Sequence, residues 1–107
     1  MQTQQEQHEQ RVIAFMDSWL NFAKNPATVA CPVTNMHRRD VEYYSKRILL
    51  RHDIEERIDE NAYEDLSELH AAQQKYAVIE KDFDDLYRKI HYIAKEIDNE
   101  PIKRYIK

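Results

Sequence analysis

The chain contains no glycine, and Pro26, Pro32 and Pro101 are its only prolines. Tight hairpins need residues at positive φ, which glycine supplies without steric cost, so a β-rich chain without it would lack its turns. The expectation is an all-α fold. No proline falls between Pro32 and Pro101, which leaves room for long uninterrupted helices.

The strongest periodic signal lies inside that interval. Leu69, Ala72, Tyr76, Ile79, Phe83, Leu86, Ile90, Ile93 and Ile97 recur at alternating steps of four and three after an opening step of three. This is a heptad seam along a long C-terminal helix, with Gln74, Lys81, Arg88 and Lys95 on the opposite, solvated side. A seam of this kind must be covered by other apolar surface.

The rest of the chain supplies candidates. Residues 1–10 are rich in glutamine (Gln2, Gln4, Gln5, Gln7, Gln10) and carry little to bury, so they are expected as a frayed lead into a first helix. That helix then shows a wide apolar stripe of Val12, Ile13, Phe15, Met16, Trp19, Leu20, Phe22 and Ala23, and Asn25-Pro26 ends it. The connection that follows contains Ala27, Val29, Ala30, Cys31 and Val33, which are costly to leave in water, so it should pack on the bundle. Thr34 or Asn35 is the expected cap of a second helix spanning roughly residues 36–59. Its apolar residues fall on two arcs, Val41, Tyr44 and Ile48 on one, Tyr43, Leu50, Ile54 and Ile58 on the other.

Between the second helix and the seam, Asn61 tolerates a left-handed conformation and forms, with Glu64, the pattern of a capping box. The alternative is one helix over about residues 36–99 paired with a second chain. Gln73, Glu80, Tyr87 and Ala94 beside the seam lack most of the charge pairs of a two-chain zipper, which favours a bundle. The sequence therefore predicts one domain over residues 1–107, a small three-helix bundle. From a rise of about 1.5 Å per residue, the third helix is about 55 Å long and the second about 36 Å. The first helix, the short tail 101–107 or a second copy of the chain must cover the difference, and Ile90, Ile93 and Ile97 motivate a weak homodimer.

Charge is segregated along the sequence. Arg38, Arg39, Lys46, Arg47 and Arg51 make residues 38–51 basic, whereas Asp53, Glu55, Glu56, Asp59, Glu60, Glu64, Asp65 and Glu68 follow against Arg57 alone. Asp82, Asp84 and Asp85 with Glu80 form a second acidic group. Two docking faces are expected from this pattern: an acidic one of Glu56, Asp59, Glu60, Glu64, Asp65, Asp82 and Asp85, and a basic one of Arg38, Arg39, Lys46, Arg47 and Arg51. Solvated helix faces carry similar runs. Tyr43, Tyr92 and Tyr105 are candidate aromatic anchors, since tyrosine joins apolar area to a polar tip.

Other chemistries find less in the sequence. The net charge of −4 disfavours bulk affinity for nucleic acid, although the basic stretch keeps a phosphate-tracking surface as the second reading. Without glycine there is no phosphate-cradling loop. The Glu-x-x-His pair of helical di-metal sites does not occur, while His52 and Glu56 stand one turn apart. Glu56-x-x-Asp59 resembles half of the carboxylate pattern of all-helical nucleotide pyrophosphohydrolases, which makes a magnesium-dependent hydrolase a third reading. Cys31 sits among apolar residues and reads as a small buried hydrophobe. One cysteine, no basic-then-apolar start and no apolar run of about 20 residues lead to the expectation of a cytoplasmic chain outside the membrane.

The expected role is non-enzymatic, without cofactor or metal: binding another protein as an adaptor, regulatory subunit or inhibitor. In size and charge the chain resembles small inhibitors encoded by phages and plasmids, including anti-CRISPR proteins. That resemblance implies a host protein as partner.

Overall fold

A computed structural model describes the backbone of residues 3–98 and the side chains as far as residue 90. Three helices, α1 (Gln4–Lys24), α2 (Arg38–Asp59) and α3 (Leu66–Asp98), pack against one another, and no strand occurs among the described residues. No described helix is long and apolar enough to cross a membrane.

Local chemistry sets each helix end. The Thr3 hydroxyl accepts a hydrogen bond from the Glu6 N–H at 3.1 Å, so α1 starts at Gln4 and the glutamine-rich stretch is helical from that residue on, where a frayed lead was expected. At the other end the Asn25 N–H donates to the carbonyls of Asn21 and Phe22 just before Pro26. The cap of α2 is His37, not Thr34 or Asn35: its Nδ1 accepts from the Arg39 N–H at 3.2 Å. A neutral imidazole nitrogen is an acceptor two bonds beyond Cβ, and it reaches the first free N–H as an Asn oxygen would.

The break between α2 and α3 is present, and Asn61 causes it in one of the two ways its sequence allowed. Asn61 takes φ 58°, the Ala62 N–H donates to the Arg57 carbonyl at 2.8 Å, and the Asn61 N–H donates to that of Ile58 at 3.0 Å. This pair of bonds is the Schellman arrangement that satisfies the last carbonyls of a helix. Asn61 is thus spent on stopping α2 and does not form a capping box with Glu64. Asp65 caps α3 instead, its Oδ1 accepting from the Ser67 N–H at 2.8 Å.

The core is aromatic at its centre. Trp19 and Phe83 are fully buried, with ring centroids 5.5 Å apart and planes at 87°. Tyr44 meets Phe83 edge-on at 5.5 Å, and Phe15 touches Phe83, Trp19 and Tyr87. Such edge-to-face geometry adds directional attraction to the gain from burial. Ile48 and Ile79 complete the most buried set, so each of the three helices contributes to it.

On α3 the seam positions Ile79, Phe83 and Leu86 are buried and Leu69, Ala72, Tyr76 and Ile90 are half-buried. Tyr87, one step beside the seam, is also buried, which gives the wider face of a bundle helix. Ile93, Ile97, Lys95, Tyr92, Tyr105 and the tail 101–107 lie outside the described side chains.

Two parts of the apolar pattern point outward. Ile13 is exposed although its neighbours Val12, Phe15 and Met16 are buried, because α1 meets the bundle along a narrower strip than its stripe. The second arc of α2 divides: Ile54 is buried, Tyr43 and Leu50 are exposed, and Leu49 joins them at the surface. The connection between α1 and α2 does pack inward through Pro32 and Val33, with Val29, Cys31 and Met36 half-buried and Ala27 and Ala30 exposed.

One polar contact pins the aromatic centre. The Trp19 indole N–H donates to the Ser45 hydroxyl at 3.1 Å. Ser45→Ala would strand that donor in the core, and a loss of about 1–3 kcal/mol is expected. Urea unfolding followed by circular dichroism measures it; an unchanged midpoint would mean that the indole N–H has another partner.

Candidate binding surfaces

The basic stretch does not form one face. Arg47 Nη2 lies 2.7 Å from Asp82 Oδ2, and the guanidinium sits over the Tyr43 ring at 5.4 Å. Arg51 reaches Glu80 at 3.4 Å and Glu55 at 3.6 Å while stacking on Tyr76 at 4.4 Å. Both side chains are largely buried, at 23% and 16% exposure, and serve to clamp α2 onto α3. Their Nε atoms are buried without a hydrogen-bond partner. Arg47 and Asp82, from the basic and acidic lists respectively, are therefore paired with each other.

What remains exposed is divided between the two ends of α2. Arg38, paired with Glu42 at 3.4 Å, and Arg39 stand at its start, with Lys46 two turns on. Glu56, bridged to His52 at 3.0 Å, stands near its end with Asp59 and Glu60. Asp59, Glu60 and Glu64 are exposed and have no ion-pair partner among the described residues, and Asp85 is exposed on α3. Asp65 is the α3 cap, and the nearby cation Arg57 stacks on Tyr63 at 4.7 Å. Asp59 and Glu60 occupy the C-terminal end of α2, where the helix dipole already places partial negative charge.

Between these ends α2 presents Tyr43, Leu49 and Leu50 to solvent at 53%, 38% and 38% exposure. The sequence marks Tyr43 as a candidate anchor and does not single out the two leucines, because Leu49 and Leu50 continue an apolar run with the buried Ile48 and share its composition.

A pairing that the sequence could not signal joins α1 to α3. His8 Nε2 and Asp84 Oδ1 are 2.6 Å apart, Arg88 Nε donates to Asp84 Oδ2 at 3.2 Å, and the His8 ring meets Tyr87 edge-on at 5.6 Å. They border an open groove of about 660 Å³ between α1 and α3, with Val12, Ile13 and Met16 on its wall and Arg51 and Tyr76 beside them. Burial raises the Tyr76 phenol above its ordinary value, with Arg51 opposing and Glu55 and Glu80 adding to it.

Burial acts on Asp84 to raise its pKa, but the hydrogen bonds from His8 and Arg88 and their charge outweigh it, and the net shift is downward. A carboxyl whose folded pKa lies below its unfolded value stabilises above the unfolded pKa and loses that contribution as pH falls through the folded one. Wild type should therefore exceed Asp84→Asn in stability at neutral pH, and the gap should close below about pH 4. Urea titrations across that range test this, and a gap constant with pH would contradict it.

Among the described residues no group of three or more histidines, cysteines, aspartates or glutamates is arranged to hold a metal ion. His52 and Glu56 pair with each other, and Glu56 and Asp59 are both exposed. Cys31 is half-buried against the core. No protein family, no curated protein and no solved structure matches this chain significantly.

Proposed function

We propose that the chain is a non-enzymatic module that binds another protein, as an adaptor, regulatory subunit or inhibitor, through the outward face of α2. The observation that carries this reading is the exposure of Tyr43, Leu49 and Leu50 on one helix whose opposite side is fixed in the core by Tyr44 and Ile48. A rigid helix offering an aromatic and two leucines can lie in a partner's apolar groove. Arg39 and Lys46 beside them, with carboxylates at the far end, would set orientation and raise the encounter rate.

The nucleic-acid reading is weaker for a specific reason: Arg47 and Arg51, two of its five cations, already neutralise Asp82, Glu55 and Glu80. Three exposed cations imply a shallow salt dependence, since the slope scales with the phosphates neutralised.

The test compares affinity capture by the wild-type chain with capture by Tyr43→Ala/Leu49→Ala/Leu50→Ala. The reading expects a captured protein that the variant releases while keeping the circular dichroism spectrum of the folded wild-type chain. An identical set of captured proteins would contradict it, and so would binding to duplex or RNA that falls steeply with salt.

A further inference from the structure

We propose that the acidic end of the bundle is a docking site for the basic C-terminal segment of a second copy of this chain. At that end Ile58, Gln73 and Tyr76 form a shallow cup of about 290 Å³ with Glu55 and Asp59 on its rim. Ile58 and Tyr76 are half-buried, which leaves apolar surface accessible beside carboxylates. Asp59 on the rim and Glu60 just beyond it have no ion-pair partner among the described residues, and they stand where the α2 dipole opposes negative charge. Folding gains nothing from that placement. A cationic ligand with an apolar anchor would gain from both the cup and its rim.

The chain carries such a ligand. Residues 101–107 read Pro-Ile-Lys-Arg-Tyr-Ile-Lys, with Lys103, Arg104 and Lys107 set among Ile102, Tyr105 and Ile106 and no acidic residue. Reach decides whose cup it fills. α3 runs to Asp98, so Gln73 and Asp98 are about 38 Å apart along the helix. Lys103 and Arg104 are five and six residues beyond Asp98 and extend at most about 22 Å from it. The rim at Asp59 and Glu60 of their own chain is out of range of these two cations. Two copies with antiparallel α3 helices bring each segment to the other's cup, and the two equivalent contacts close a twofold dimer. This surface is on the side of α2 away from Lys46 and Leu49, so the proposal stands independently of the protein-binding reading.

Sedimentation equilibrium of the full chain tests it by charge reversal. Wild type should form a concentration-dependent dimer that weakens with added salt. Asp59→Lys/Glu60→Lys and Lys103→Glu/Arg104→Glu should each weaken dimerisation by roughly tenfold or more while keeping the wild-type circular dichroism spectrum. A single chain carrying all four reversals should recover dimerisation. Tyr43→Ala/Leu49→Ala/Leu50→Ala should dimerise as wild type does. A wild-type chain that stays monomeric, or a dimer indifferent to both reversals, would overturn the proposal.

Discussion

Phe83→Ala should destabilise the chain by about 3–5 kcal/mol, because truncating a buried aromatic loses its transfer free energy and leaves a cavity that neighbours only partly fill. Phe83 is fully buried and its ring meets those of Phe15, Trp19 and Tyr44, contributed by both other helices. Small domains are stable by roughly 5–15 kcal/mol, so the substitution removes a large share of the total. Urea unfolding gives the value directly. A loss below about 1 kcal/mol would place Phe83 at the surface and the α3 face out of phase.

Trp19→Ala should cost a similar amount, about 3–5 kcal/mol, from the opposite side of the same cluster. The indole is fully buried between Phe15, Tyr44 and Phe83, and its N–H is held by Ser45. Because Trp19 and Phe83 touch, the two losses should not add. The double variant is expected to lose less than their sum. Strict additivity would mean that the rings do not share a cavity.

The aromatic centre was readable because its residues recur at helical spacing on chain segments free of glycine and proline. Ile79, Phe83 and Leu86 follow the heptad step and are all buried. The break near Asn61 was also readable, since that residue tolerates a left-handed backbone and the observed φ of 58° uses that tolerance. Caps were less so. His37 and Asp65 serve where Thr34, Asn35 and Asn61 offered equivalent acceptors, and the choice depends on where neighbouring elements pull the backbone.

The surface was harder to read, for a physical reason. Runs of like charge reveal which residues are near in sequence, but an ion pair depends on which helix faces meet. Arg47 with Asp82 and Arg51 with Glu80 join the basic stretch to the acidic one across the α2–α3 contact, and His8 with Asp84 joins α1 to α3 across 76 positions. Periodicity also cannot rank apolar residues beside a buried one, as Leu49 and Leu50 beside Ile48 demonstrate.

Exposure of Leu50 between Arg39 and the acidic end of α2 makes one measurement the most direct test of the proposed binding role. A photo-crosslinking amino acid placed at Leu50 should yield an adduct with a partner protein, whereas the same group at the exposed Ala14 of α1 should yield none. Mass spectrometry of the adduct then reads the partner and its contact residue together. Adducts of equal yield from both positions, or an adduct from Ala14 alone, would contradict a docking surface on α2.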